Sequence, residues 1–276
     1  MGFESSLGLL LMGFFTGGYG TLIGAGGGFV LLPVLLLLYP QESPEILTSI
    51  SLAVVFFNAL SGTEAYALMG RVDYKSGLLF SASSLPGAVT GALSTSFIPR
   101  WLFDTILGVL MGGASIYLLV QNKFLKEGAC PEKPAHGLTR YLIETNGTEH
   151  HYIYNPILGM TLSFCVGFFS SLLGIGGGII HVPALVYLLN FPVHIATATS
   201  HFILANMALT GTLTHILSGT FTHGVHRTIL LAIGVMAGAQ VGARLSSRIR
   251  ATWIIKSLAV ALGLVGVRIF IQGWFG

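Results

Sequence analysis

Leu22-Ile23-Gly24-Ala25-Gly26-Gly27-Gly28 and, 150 positions later, Leu172-Leu173-Gly174-Ile175-Gly176-Gly177-Gly178 are two copies of one motif, each followed at the same distance by a proline, Pro33 and Pro183. Each copy sits inside an apolar run too long for a single membrane crossing. The run from Leu7 to Tyr39 has 33 positions, and as a helix rising 1.5 Å per residue it would span about 50 Å. A hydrocarbon core of about 30 Å needs only about 20 residues. The run is therefore expected to break at its glycines into two pieces that return the chain to its starting side, and the run over residues 156–190 is expected to do the same.

Working outward, shorter apolar runs cover residues 47–69, 76–98, 102–121, 196–218, 228–247 and 253–272. The whole chain of 276 residues is 53% hydrophobic and only 8% charged, with a mean hydropathy of +0.80. A soluble domain carries about 25% charged residues, so this composition describes an all-α integral membrane protein. The net charge of +3 is small and scattered, which excludes a nucleic-acid surface. Glu4 and the absence of a basic residue ahead of the first apolar run argue against a cleavable signal, so this segment is expected to stay as a membrane anchor. Cys130 and Cys165 lie in different surroundings and read as no disulfide framework.

The motif belongs to a longer repeat. With a shift of 149, Thr48 meets Thr197, Ser51 meets Ser200, Gly62 meets Gly211 and Gly70 meets Gly219; with a shift of 151, Gly87 and Gly91 meet Gly238 and Gly242. Residues 1–121 and 156–276 thus read as two repeats of about five membrane segments each. Equivalent loops carry opposite bias in basic residues: the loop with Arg71 and Lys75 is richer than the one with Arg100, whereas the loop with Arg227 is poorer than the one with Arg244, Arg248 and Arg250. Because Lys and Arg prefer the cytoplasmic side, that reversal points to inverted repeats, as in many secondary transporters. Five passes per half put ten of the 13 basic residues, those of the central loop included, on one side. The central loop is then cytoplasmic and both termini outside.

That central loop, residues 122–155, is the clearly polar stretch. Its Asn146-Gly147 pair is flanked by β-prone residues and reads as a hairpin, with a disordered linker as the alternative. Asn146-Gly147-Thr148 also matches a glycosylation sequon, which would require a secretory lumen.

The doubled glycine motif, each copy followed by a Thr/Ser-bearing helix (Thr48 to Ser51, Thr197 to Ser200), resembles the TauE/SafE family of sulfite and organosulfonate exporters. The resemblance covers nearly the whole chain outside the central loop. It implies a multi-pass protein of the cell membrane that exports sulfur oxyanions or sulfonates.

The residues carry a reading of their own. Gly26, Gly27 and Gly28, and likewise Gly176, Gly177 and Gly178, precede apolar segments and would form helix N-termini at membrane depth, with free N–H groups and a positive dipole end facing the centre. Two such ends make an anion site without a buried Lys or Arg. Close helix packing is the plainer use of these glycines. Thr21, Ser170 and Ser171 just before the turns, and Ser51, Asn58, Ser200 and Asn206 on the following helices, could complete the site, although Ser and Thr in such helices often bond back to their own preceding turn. Ionisable groups in the spans are few: Glu64, His181, His201, His215 and Lys256. Histidine can exchange protons near neutral pH and so couple a proton gradient to anion movement, and a hydrogen-bonded core histidine is the plain alternative for each. Glu64 and His215 could instead lie at the membrane boundary and face water.

These residues lead to a secondary transporter for a small sulfur-containing anion, with lipid and the anion as partners, no cofactor or metal, and room for a homo-oligomer. A channel for the same ions would use the same groups. An intramembrane metalloenzyme gathering His181, His201, His215 and Glu64 lacks close ligand spacing such as HExxH.

Overall fold

The computed structural model describes residues 6–121, 137–246 and 251–275. Residues 122–136, with Cys130, and Arg248 and Arg250 lie outside these. The first half runs α1 (Ser6–Ile23), α2 (Gly28–Leu38), α3 (Pro44–Leu68), α4 (Tyr74–Ser94) with a short 3-10 turn after it, and α5 (Arg100–Gln121). A two-stranded hairpin, β1 (Leu138–Ile143) and β2 (Glu149–Tyr154), leads to α6 (Pro156–Leu173), α7 (Gly178–Tyr187), α8 (Val193–Leu217), α9 (Val225–Ser246) and α10 (Ala251–Phe275). The same succession of five helices occurs twice. Among the described residues α1, α3, α6 and α9 are long and apolar enough to cross a membrane.

Local chemistry sets the boundaries. Pro44 and Pro156 open α3 and α6 at the first helical turn, where their missing N–H costs nothing. The side chains of Ser43 and Asn155 accept from Ile46 N and from Ile157 N and Leu158 N. Asp73 caps α4 by accepting from Ser76 N at 3.1 Å. Such caps satisfy donors that a helix leaves unpaired at its start.

The two halves are interleaved. α1 lies along α9, α4 along α6, α5 along α10 and α3 along α8. The first two seams are lined by glycine: a methyl group on Gly13 would come 2.5 Å from the carbonyl oxygen of Leu231, one on Gly17 2.6 Å from Val235 Cα, and one on Gly91 3.0 Å from Leu172 N. In lipid, where association depends on packing, such small residues let backbones approach. The pairs Gly87/Gly91 and Gly238/Gly242 serve this purpose. α3 and α8 run antiparallel, with Leu52 opposite Gly211 and Gly62 opposite His201.

Charged and polar clusters mark the two ends of α3. At its start, the Arg100 guanidinium donates to the carbonyls of Pro40, Glu42 and Leu36 at 2.7 to 3.0 Å. Arg227 pairs with Glu42 at 3.3 Å and lies 3.9 Å over the Tyr39 ring. At its far end sits the hairpin. The strands pair in antiparallel register from Leu138↔Tyr154 to Ile143↔Glu149. The turn closes with Gly147 N donating to Glu144 O, and Gly147 adopts φ 85°, the left-handed conformation that glycine tolerates. The hairpin is therefore folded.

Its inner face is docked on the helices. Tyr152 and Tyr154 are buried against Phe191 and Phe80. The Tyr152 hydroxyl donates to Asp73 Oδ2 at 2.7 Å, Ser76 Oγ bonds the same carboxylate at 2.5 Å, and Arg140 lies 3.6 Å away. Burial and the neighbouring Asp73 carboxylate push the Tyr152 hydroxyl pKa up, so it stays a donor. Arg71 Nε holds Glu144 at 2.8 Å, and His150 Nε2 is 2.9 Å from the other oxygen of that carboxylate. Burial acts to raise the Glu144 pKa, but the bonds from Arg71 and His150 outweigh it and leave the group below its ordinary value of 4.5. A lowered carboxylate pKa adds stability that is fully present above the unfolded value and is lost as pH falls through the folded one. The docked hairpin should hold through neutral pH and loosen below about pH 4.5, read as protease access to the 144–148 turn. Unchanged protection down to the acid limit of the fold would show that this carboxylate does not hold the hairpin.

Candidate functional site: two facing glycine breaks

Helix α1 ends at Ile23 and α2 begins at Gly28. Between them Gly24, Gly26 and Gly27 have φ of 89°, 73° and 75°, which L side chains rarely adopt. The N–H groups of Gly24, Ala25 and Gly26 all turn back to Gly20 O at 2.8 to 3.3 Å, closing the C-terminus of α1. In α2 the first helical donors are Val30 and Leu31, both to Gly27 O. The N–H groups of Gly27, Gly28 and Phe29 thus stand at the open end of the helix. In the second copy Gly174 and Gly176 have φ of 64° and 72°. There the Gly177 N–H donates to Ser170 Oγ at 2.5 Å and the Gly178 N–H turns to Gly176 O. The N-terminus of α7 is accordingly more internally bonded than that of α2.

The breaks face each other. A methyl on Gly28 would meet Ile175 O at 2.8 Å, and one on Gly178 would meet Ala25 Cα at 2.6 Å. Val55 wedges between them, touching the space beside Gly26, Gly28 and Gly176. Every residue from Gly20 to Phe29 and from Ser170 to Ile179 is buried. Each break is also held from the opposite half: Ser51 Oγ donates to Gly174 O at 2.6 Å, and Ser200 Oγ donates to Gly24 O at 3.3 Å. In this closed arrangement both serine protons are engaged by the backbone of the facing repeat.

The remaining candidates divide into two groups. Thr21 and Asn58 come together beside the first break, with Thr21 Oγ1 3.1 Å from Asn58 Oδ1. Ser171 is buried against Gly211 beside the second, and its hydroxyl has no partner. Asn206 stands apart, donating to Phe202 O on its own helix at 2.8 Å and to Ser81 of α4 at 3.4 Å. The ionisable groups are scattered. Glu64 and Lys256 are exposed; His181 bonds Ser163 at 3.0 Å; His201 and His215 are buried at 0% and 1% exposure. His215 is thus inside the protein and not facing water. No group of three His, Cys, Asp or Glu side chains converges among the described residues. A cavity of about 550 Å³ opens between α5, α6 and α7, but Leu110, Leu162, Phe169 and Leu188 make it apolar, and it lies apart from the facing carbonyls of the breaks.

Sequence reading missed Val55, and it missed Tyr66, whose hydroxyl donates to Thr21 O at 2.8 Å and whose ring meets His201 edge-on at 5.5 Å. Asn58, Gly62 and Tyr66 recur every fourth residue, which places them on one face of α3. That stripe was the available signal.

A family model described as sulfite exporter TauE/SafE matches residues 9–269. The chain belongs to this family. Among TauE/SafE relatives, it is 34% identical to "Probable membrane transporter protein YunE" of Bacillus subtilis (strain 168), over 97% of this chain and 98% of the relative. It is 22% identical to "Probable membrane transporter protein MJ0441" of Methanocaldococcus jannaschii, over 94% and 93% of the two chains. No solved structure matches. The family and its apolar helices make this a membrane protein of the TauE/SafE transporter type.

Proposed function

We propose that the chain is a secondary transporter of the cell membrane that carries sulfite or an organosulfonate outward, with the anion held between the two glycine breaks. The observation that carries this reading is the direct opposition of the breaks, each with a helix N-terminus beginning at buried depth. The free N–H groups of Gly27, Gly28 and Phe29 and the positive dipole ends of both helices are then presented to an anion without a buried cation. Gly26, Gly27, Gly28, Gly176, Gly177 and Gly178 form the site, with Thr21, Asn58, Ser170 and Ser171 beside it. Ser51 and Ser200 hold the breaks in place and become free to donate when the halves part. Asn206, bonded to α4 and its own helix, contributes from further away. Protons pass through His201, with His181, His215 and Glu64 as the other candidates.

The repeats 1–121 and 156–276 are inverted, with loop 122–155 on the cytoplasmic side. The antiparallel course of α3 and α8 supports this, since those helices occupy equivalent places in the two halves. Burial along both breaks favours a carrier that opens alternately over a channel, and the separation of His181, His201 and His215 disfavours a metalloenzyme. Cysteines placed at Asn146 and at the N-terminus should then label from opposite faces; labelling of both from one face rejects inversion.

The binding test uses purified, folded Gly27→Val and Gly177→Val proteins. Gly27 needs positive φ and a side chain there would approach Thr16 O, while one at Gly177 would meet Met207 and Val166. Affinity for sulfite should fall by about tenfold or more, equivalent to about 1.4 kcal/mol. Wild-type affinity in both would make the glycines packing residues only.

A further inference from the structure

His201, Asn58, Thr21 and Tyr66 form a polar junction of α1, α3 and α8 that is buried throughout. His201 Nδ1 lies 3.2 Å from Thr197 O. A carbonyl can only accept, so Nδ1 carries the hydrogen and Nε2 of the neutral ring is an acceptor. That Nε2 is fully buried without a hydrogen-bond partner, and it points at the backbone of Gly62, where a methyl group would lie 3.1 Å from it. One helical turn before Gly62, Asn58 uses its Oδ1 for the Thr21 hydroxyl. This leaves Asn58 Nδ2, a donor, equally buried and without a partner. Tyr66 closes the far side, its hydroxyl spent on Thr21 O.

Buried polar groups are nearly always paired, and two orphans in one junction call for a reason. Their chemistry is unequal. A neutral His201 adds an unpaired lone pair to the junction, which repels an anion. Protonation converts Nε2 into a second donor, and the junction then holds two unpartnered N–H groups and a positive charge. We infer that the Asn58–His201 junction is a subsite where a proton and an oxygen of the oxyanion bind only together.

This rests on the anion-transport reading above and deepens it. The second repeat has no such junction: under the 149 shift Met207 stands in place of Asn58, and Leu52 in place of His201. One proton per anion follows. Among the described residues, Tyr66 is the titratable group recorded against His201, with the Arg71 charge reaching Tyr66 from the end of α3. No carboxylate among those contacts would hold the proton in the absence of the anion.

The test is calorimetry on the purified wild-type protein with an alkanesulfonate, which stays ionised across the neutral range, so that any proton taken up belongs to the protein. Titration in two buffers of different ionisation enthalpy should show one proton absorbed per anion bound. Affinity should weaken about tenfold per pH unit on the alkaline side. His201→Gln should lose the proton uptake and the pH slope, and Asn58→Leu should weaken binding at every pH while keeping the slope. Anion binding by the wild type with no proton uptake, or with an uptake that survives in His201→Gln, overturns the inference and leaves the glycine site standing. A wild type that binds neither sulfite nor the sulfonate at any pH removes the transport reading and this inference with it.

Discussion

Gly178→Val should abolish transport while the protein still inserts and stays monodisperse in detergent. Gly178 begins α7 with an ordinary helical backbone, so valine adds no strain of its own in φ. Its side chain would instead be driven into Gly24 O and Ala25 Cα of the facing break. Overpacking of this kind costs about 1 to 3 kcal/mol, and here it acts on the contact that the proposed cycle makes and releases. Gly28→Val, aimed at Ile175 from the other side, should have the same effect, because both wedges enter one interface. The measurement is sulfite efflux from proteoliposomes beside a thermal-stability curve. Full efflux in either variant would mean that the breaks need not close on each other.

Asp73→Ala should detach the hairpin. The carboxylate accepts from Ser76 N, Ser76 Oγ and the Tyr152 hydroxyl, with Arg140 beside it. Removing it strands a tyrosine hydroxyl in an apolar setting and leaves Arg140 without its counter-charge. Loss of one partner of a buried pair costs about 3 to 5 kcal/mol, and the partial exposure of Arg140 places the expected figure near the lower end. Trypsin cleavage at Arg140 should rise sharply against the wild type. Asp73→Asn keeps an acceptor for Ser76 and should lie between. Equal protease resistance in all three proteins would show that apolar packing of Tyr152 and Tyr154 alone retains the hairpin.

The helical membrane architecture was legible because its signals are local or repeat in sequence. The glycine motifs mark where α1 and α6 end, since Gly24 and Gly174, just past those helices, hold φ of 89° and 64°, which few other residues accept. Asn146-Gly147 marks the hairpin turn. The site was legible in kind but less so in detail. Ser51 and Ser200 look like donors to a ligand, and only the fold reveals that each reaches across to the carbonyl of the other repeat. Tyr66 and Val55 read as ordinary apolar-helix residues until α1 and α8 are laid beside α3. Arg71 and Glu144 are 73 positions apart, and no periodicity connects them. Asn206, at a suitable distance from the motif in sequence, finds its partners on α4 and on its own backbone.

The seam between α1 and α9 has a consequence for how the protein is made. The glycine face of α1 has its partner in a helix that begins only at Val225. At about 5 to 20 residues per second of synthesis, α1 waits about 10 to 40 s in the bilayer before α9 exists to cover it. α4 waits far less, since α6 begins at Pro156. The α4–α6 seam can therefore form while translation is still under way, and α1 is among the last of the ten described helices to find its partner.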